Sequence, residues 1–183
     1  SVFLFWVPGI PVLTLDCSTF TNVTFSNNQG PVQFLLQTDA GSLTSTIDGL
    51  TMTQNKVSNN LFALKCAVSN NCALTLKNVL LEDNQYNSNN YLMLFNSVST
   101  NTQIEIDGLE MKNHAFDSVH NGIYLQPNGP AGGVFNFTLQ NAAFTNLYTM
   151  STVISSTSSA SPAPIYLLFF GWNGLYLTYS SFT

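Results

Sequence analysis

Nine carboxylates, four lysines and two histidines are all the ionisable side chains this chain can turn to chemistry, apart from its Cys and Tyr residues. Glu105 and Asp107 stand two apart, the spacing that places both on one face of a strand, and are the only close pair of that kind. Two such carboxylates can bind Ca²⁺ or serve as acid and base on a glycoside, but Lys77 and Lys112 lie near enough to neutralise them. Asp48, Lys77 and Asp107 recur at one register position and read as a ladder of alternating charge. His114, Asp117 and His120 put three metal-ligand types within seven residues, a grouping met more often in a solvated loop, and no metal is assigned to them. No serine sits in a nucleophile motif and no glycine-rich phosphate loop follows a strand. The residues assign no catalytic group and no cofactor.

Modification chemistry is better represented. Asn22-Val23-Thr24 and Asn136-Phe137-Thr138 are acceptor sequences for N-linked glycans. By register Asn136 points outward and is the better site, whereas Asn22 falls at a bend. Cys66 and Cys72 flank the turn-like Val68-Ser69-Asn70-Asn71 and are placed to bridge one corner. Cys17 lies two coils away, beyond disulfide reach, and reads as a small buried apolar residue or else as a thiol paired between molecules. The Ser/Thr/Pro-rich run 151–164 reads as an exposed loop, equally compatible with O-linked glycans.

A recurring phrase must position these residues: apolar, polar, Asn or Gly, apolar, any, apolar. It begins at Phe20, Ile47, Leu76, Ile106, Leu139 and Leu177, at spacings of 27, 29, 30, 33 and 38 residues. A period near thirty with strand alternation inside each unit is the signature of a solenoid. The third position is Asn22, Gly49, Asn78, Gly108 and Asn141 in the first five copies. These are the residue types that most readily take positive φ, so a sharp bend is expected there. A second Asn closes each unit, at Asn28, Asn55, Asn84, Asn113 and Asn146, and these amides are expected to bond up and down one column. A third apolar strand lies between phrases. The expectation is an all-β, right-handed parallel β-helix of about six coils of three short strands, with residues 1–183 forming one domain. Its height would be roughly 25–30 Å.

The Phe25-Ser26-Asn27-Asn28 tetrad and the Ala131-Gly132-Gly133 segment resemble the FxxN and GGA motifs of polymorphic-outer-membrane-protein-type β-helix repeats. More broadly the chain resembles pectin-lyase-like solenoids. That resemblance implies a β-helix in a surface-exposed setting. Pectin-degrading members typically use an arginine base or clustered aspartates, and this chain contains no Arg, which excludes the first mechanism.

Charged residues make up 7% of the chain against a usual quarter, so solubility must come from Asn, Ser and Thr or from attached glycans. A net charge of −5 with scattered lysines excludes a nucleic-acid footprint. Neither 2–6 nor 165–177 is long enough to span a bilayer as a helix. The chain starts on an apolar strand without Met, as expected of a mature secreted chain or a piece of a longer solenoid.

These features predict an extracellular or cell-surface structural glycoprotein, not an enzyme, whose partners are copies of itself. Coils are expected to stack head-to-tail into a fibre or surface layer. An apolar stripe of Phe3, Leu35, Phe62, Leu92, Tyr124 and Tyr166 is expected on the outside as the interface. The alternatives are an adhesin or carbohydrate-binding module acting on extracellular polysaccharide, and a degenerate polysaccharide-active enzyme.

Overall fold

The computed structural model describes residues 3–7, 15–30, 34–38, 41–57, 60–66, 69–86, 92–116, 123–127, 133–149, 165–167 and 175–182. The first turn holds β1 (Phe3–Val7), β2 (Leu15–Ser26) and β3 (Gln29–Gly30). The second holds β4 (Phe34–Thr38), β5 (Gly41–Thr53) and β6 (Lys56–Val57), and the third β7 (Phe62–Cys66), β8 (Ser69–Glu82) and β9 (Gln85–Tyr86). The fourth has β10 (Met93–Ser97) and β11 (Asn101–Phe116), the fifth β12 (Ile123–Pro127) and β13 (Val134–Thr149), and β14 (Ile165–Leu167) and β15 (Leu175–Phe182) follow.

Each strand pairs with its counterpart one repeat away. The short strands form a six-stranded sheet in the order β1, β4, β7, β10, β12, β14. The long ones form a second sheet from β2 through β5, β8, β11 and β13 to β15, and β3, β6 and β9 form a third. From β1 to β12 and from β2 to β13 all pairing is parallel. The chain is therefore an all-β parallel solenoid.

Three differences from the expected coil have physical causes. The phrase does not split into two strands, because one left-handed residue (Asn22 at φ 53°, Gly49 at 77°, Asn78 at 51°, Gly108 at 78°, Asn141 at 51°) turns the backbone without ending the ladder. A second left-handed corner recurs at Asn27, Gln54, Asp83 and Asn113, and the first three of these lead into the two-residue strands of the first three turns. Gln and Asp at that corner hid it from the sequence. Last, the coil count falls short of six. Among the described residues three turns carry all three strands, and β14 and β15 run antiparallel to β12 and β13.

The core follows from strand alternation. Phe25, Met52, Leu81, Met111 and Phe144 stand in one register column and none is more than 6% exposed. The sixth expected member is elsewhere, because antiparallel pairing sets Leu175 opposite Phe144 and Phe182 opposite Phe137. Rings run along the short sheet and then cross to the long one: Phe34 stacks on Phe62 at 5.5 Å and Phe62 meets Phe95 at 5.8 Å within the short sheet, and Phe95–Phe137 at 6.0 Å spans the interior.

Among the described residues the expected apolar stripe does not lie open on the outside of the short sheet. In the short sheet Phe34 aligns with Phe62, Met93 and Ile123, and Leu35 with Ala63, Leu94 and Tyr124. The predicted alignment was one residue out at the first and third turns, a slip that exchanges the faces, and two out at the fourth, where Leu92 precedes β10 and turns inward. Phe62 and Leu92 are completely buried inside. Leu35 and Leu94 are 8% exposed and Ala63 not at all, so these outward apolar positions too are closed to solvent. The side chains of Phe3, Tyr124 and Tyr166 lie outside the described residues.

Candidate functional site

Three arrangements of polar side chains stand out, and the first is inside the coil. Asn55 Oδ1 accepts from the Asn28 backbone N–H (3.0 Å) and from Asn28 Nδ2 (3.2 Å). Asn84 Oδ1 accepts in the same way from Asn55 N–H (3.0 Å) and Nδ2 (2.9 Å). Asn55 Nδ2 also donates to the Phe25 carbonyl (3.0 Å), and Asn84 Nδ2 to that of Met52 (2.7 Å). Asn55 and Asn84 are 1% and 2% exposed. Each amide thus ties its own turn to the next and satisfies backbone groups freed by the left-handed corner.

The fourth rung is His114, not Asn113. Asn113 occupies the left-handed corner at φ 54° and is exposed. His114 is fully buried, with Nδ1 3.3 Å from the Asn84 carbonyl and Nε2 3.1 Å from that of Leu81. A constant offset of eight from the phrase start gives 28, 55, 84 and 114, a signal the sequence does carry. One turn further the ladder position is Leu147, which pairs with His114. Asn146 is a β13 residue whose side chain lies outside the described ones.

A neutral imidazole donates to one of its two carbonyls, whereas an imidazolium donates to both. Burial nevertheless holds the His114 pKa below its ordinary value, against the carbonyls of Leu81 and Asn84 and the charge of Asp83. His114 is therefore a buried strand residue and not part of a solvated loop. Among the described residues no group of metal-ligand side chains converges, and Asp117 and His120 lie outside them.

The second arrangement lies at the bend. Asp48, Lys77, Asp107 and Gln140 are in register on the outer face. The carboxylates bond to amides of the next turn instead of to Lys77: Asn78 Nδ2 donates to Asp48 Oδ1, and Asn141 Nδ2 to Asp107 Oδ1, both at 2.7 Å. Gly alternates with Asn along the column of bends. A Cβ on Gly49 would stand 2.8 Å from Asn22 Oδ1. Lys112 pairs with Glu110 of its own strand at 2.7 Å, and that hydrogen bond raises its pKa. Glu105 takes a contact from Gln140 Nε2 at 3.4 Å. Glu105 and Asp107 share a face but each has an amide partner, an arrangement of carboxylates held in place.

The third arrangement is a shallow groove of about 270 Å³ on the outer face of the long sheet. Ala73, Thr75, Gln103, Glu105, Asn136 and Thr138 line it. Two outward columns make its walls, Thr44-Ala73-Gln103-Asn136 and Thr46-Thr75-Glu105-Thr138. Ala73, small between its neighbours, leaves the hollow. Asn136 is half-buried in the wall, while Asn22 at the bend is exposed.

At the start of β8 a disulfide joins Cys66 to Cys72, with Cα atoms 6.4 Å apart. Both residues face the core. The Cys17 side chain lies outside the described residues.

No protein-family model, no curated protein and no solved structure matches this chain.

Proposed function

We propose that this chain is the β-solenoid unit of an extracellular, N-glycosylated structural protein, without enzymatic activity, that associates with copies of itself through its coil ends. The parallel solenoid agrees with the β-helix that the polymorphic-outer-membrane-protein-type and pectin-lyase-like resemblance implies. The observation that supports self-association is the open edge. Among the described residues β1, β2 and β3 each pair on one side only, so one end of the stack presents a row of backbone donors and acceptors up to twelve residues long. Such an edge is a template for another strand. The opposite end shapes the contact. Because β14 and β15 run antiparallel to the ladder, a second copy joins there as an antiparallel pair and does not continue the coil. The internal amide ladder suits a structural unit, since it stiffens successive turns without needing a ligand.

Sedimentation velocity across a hundredfold range of concentration, with negative-stain imaging, tests this reading. Growing oligomers or filaments are expected, and Val23→Pro in edge strand β2 should weaken them. A monomer at every concentration overturns self-association and favours the second reading, a carbohydrate-binding module. That reading draws support from the polar groove, whose hydroxyls, amides and single carboxylate match the groups of a sugar ring.

A further inference from the structure

The groove and the second glycan acceptor sequence coincide. Asn136 and Thr138, the acceptor and the hydroxyl residue of Asn136-Phe137-Thr138, both line the hollow, and Phe137 between them is completely buried. Gln103 and Glu105 stand in register with them one turn away, and Thr75 one turn further. We propose that the groove is a seat for the first sugar of an N-linked glycan on Asn136, which the fold holds against Gln103, Glu105 and Thr75. This rests on the glycoprotein reading above and deepens it.

Geometry and chemistry favour an attached sugar over a free one. The hollow is small for a ligand site, with room for a single pyranose ring and not for a bound chain. Neither the floor nor the walls carry an aromatic ring, so a free sugar has only polar groups that already bond to water. A tether removes that handicap, because a short linkage raises the local concentration of the ring to the millimolar range or above. Donors and acceptors complement an N-acetylated hexose: the Glu105 carboxylate and Thr hydroxyls accept its N–H and O–H groups, and the Gln103 amide donates to its oxygens.

Attachment has to precede folding, since Asn136 lies within the hydrogen-bonded ladder of β13 and is half-buried. In that step the Asn136 amide nitrogen forms a bond to the anomeric carbon of a lipid-diphosphate-linked oligosaccharide. The bond from that carbon to the diphosphate breaks, and the amide loses one proton. The lipid diphosphate leaves, and no oxidant or reductant is involved. The strand then folds with the sugar over the hollow.

Asn22 supplies an internal control, because its side chain is exposed at an open bend. The protein is made in a glycosylating secretory host, and endoglycosidase release at the two sites is followed by peptide mapping under native and denaturing conditions. Native release at Asn136 is expected to be at least about tenfold slower than at Asn22, with the difference abolished by denaturation. The double variant Gln103→Ala with Glu105→Ala changes only exposed side chains and leaves the acceptor sequence intact. It should bring native release at Asn136 up to the rate at Asn22. Equal native rates at the two sites in the unaltered protein overturn the seat while leaving the glycoprotein reading standing. An Asn136 without glycan overturns the seat outright, and absence of glycan from both sites overturns the glycoprotein reading as well. Unglycosylated protein from a bacterial host is titrated with free diacetylchitobiose. Micromolar binding would make the groove a site for free glycan and overturn the proposal, whereas no binding up to millimolar sugar agrees with it.

Discussion

Asn84→Ala should remove about 3–5 kcal/mol of folding stability, a large part of what a domain of this size possesses. The figure follows from the bonds of one buried side chain. Asn84 Oδ1 accepts from Asn55 N–H and Nδ2, and Asn84 Nδ2 donates to the Met52 carbonyl. On truncation the Asn55 backbone N–H is stranded in the interior, at a cost of about 1–3 kcal/mol, and two further bonds are lost at about 1 kcal/mol each. Asn55 Nδ2 keeps the Phe25 carbonyl, which bounds the loss. Urea denaturation followed by circular dichroism measures the difference, with Lys56→Ala as a control on an exposed side chain of the preceding turn. The control should shift stability by no more than about 0.5 kcal/mol. If Asn84→Ala and Lys56→Ala unfold within about 1 kcal/mol of each other, the amide ladder does not hold the turns together and the reasoning fails.

Two further expectations follow from the same columns. Gly49→Ala should destabilise by about 2–3 kcal/mol, combining the left-handed φ of 77° with a Cβ 2.8 Å from Asn22 Oδ1. Gly108→Ala meets nothing closer than 3.4 Å and should cost about 1 kcal/mol less in the same urea titration, so equal losses would refute the steric account. For His114 the folded pKa lies below the ordinary 6.5, so the unfolded chain binds the proton first. The stability that neutral His114 contributes is therefore complete above about pH 6.5 and lost as pH falls through the folded value. Urea midpoints of the unaltered protein should drop over that window, and His114→Asn, which places an amide at the next rung, should flatten the drop. An unchanged slope in the variant would remove His114 as its source.

Much of this molecule was legible in residue order because a solenoid makes local pattern and global structure nearly the same thing. The bend positions could be read from Asn22, Gly49, Asn78, Gly108 and Asn141, since only certain residue types enter the left-handed region without cost. The inward column from Phe25 to Phe144 followed from period-two alternation, which the strand imposes on every turn alike. The fourth ladder position was also encoded, at an offset of eight, but Asn113 beside it mimics a rung because asparagine suits a left-handed corner as well as a ladder. Tertiary structure decided what depends on relations between turns. Which face of the short strands meets the core depends on a one-residue register that an unbroken apolar run such as Leu61-Phe62-Ala63-Leu64 does not specify. The reversal of β14 and β15 is likewise a matter of pairing, since a strand's alternation reads the same in either direction. Glu105, Asn136 and Ala73 belong to three different turns, and only the stacking of those turns makes one groove of them.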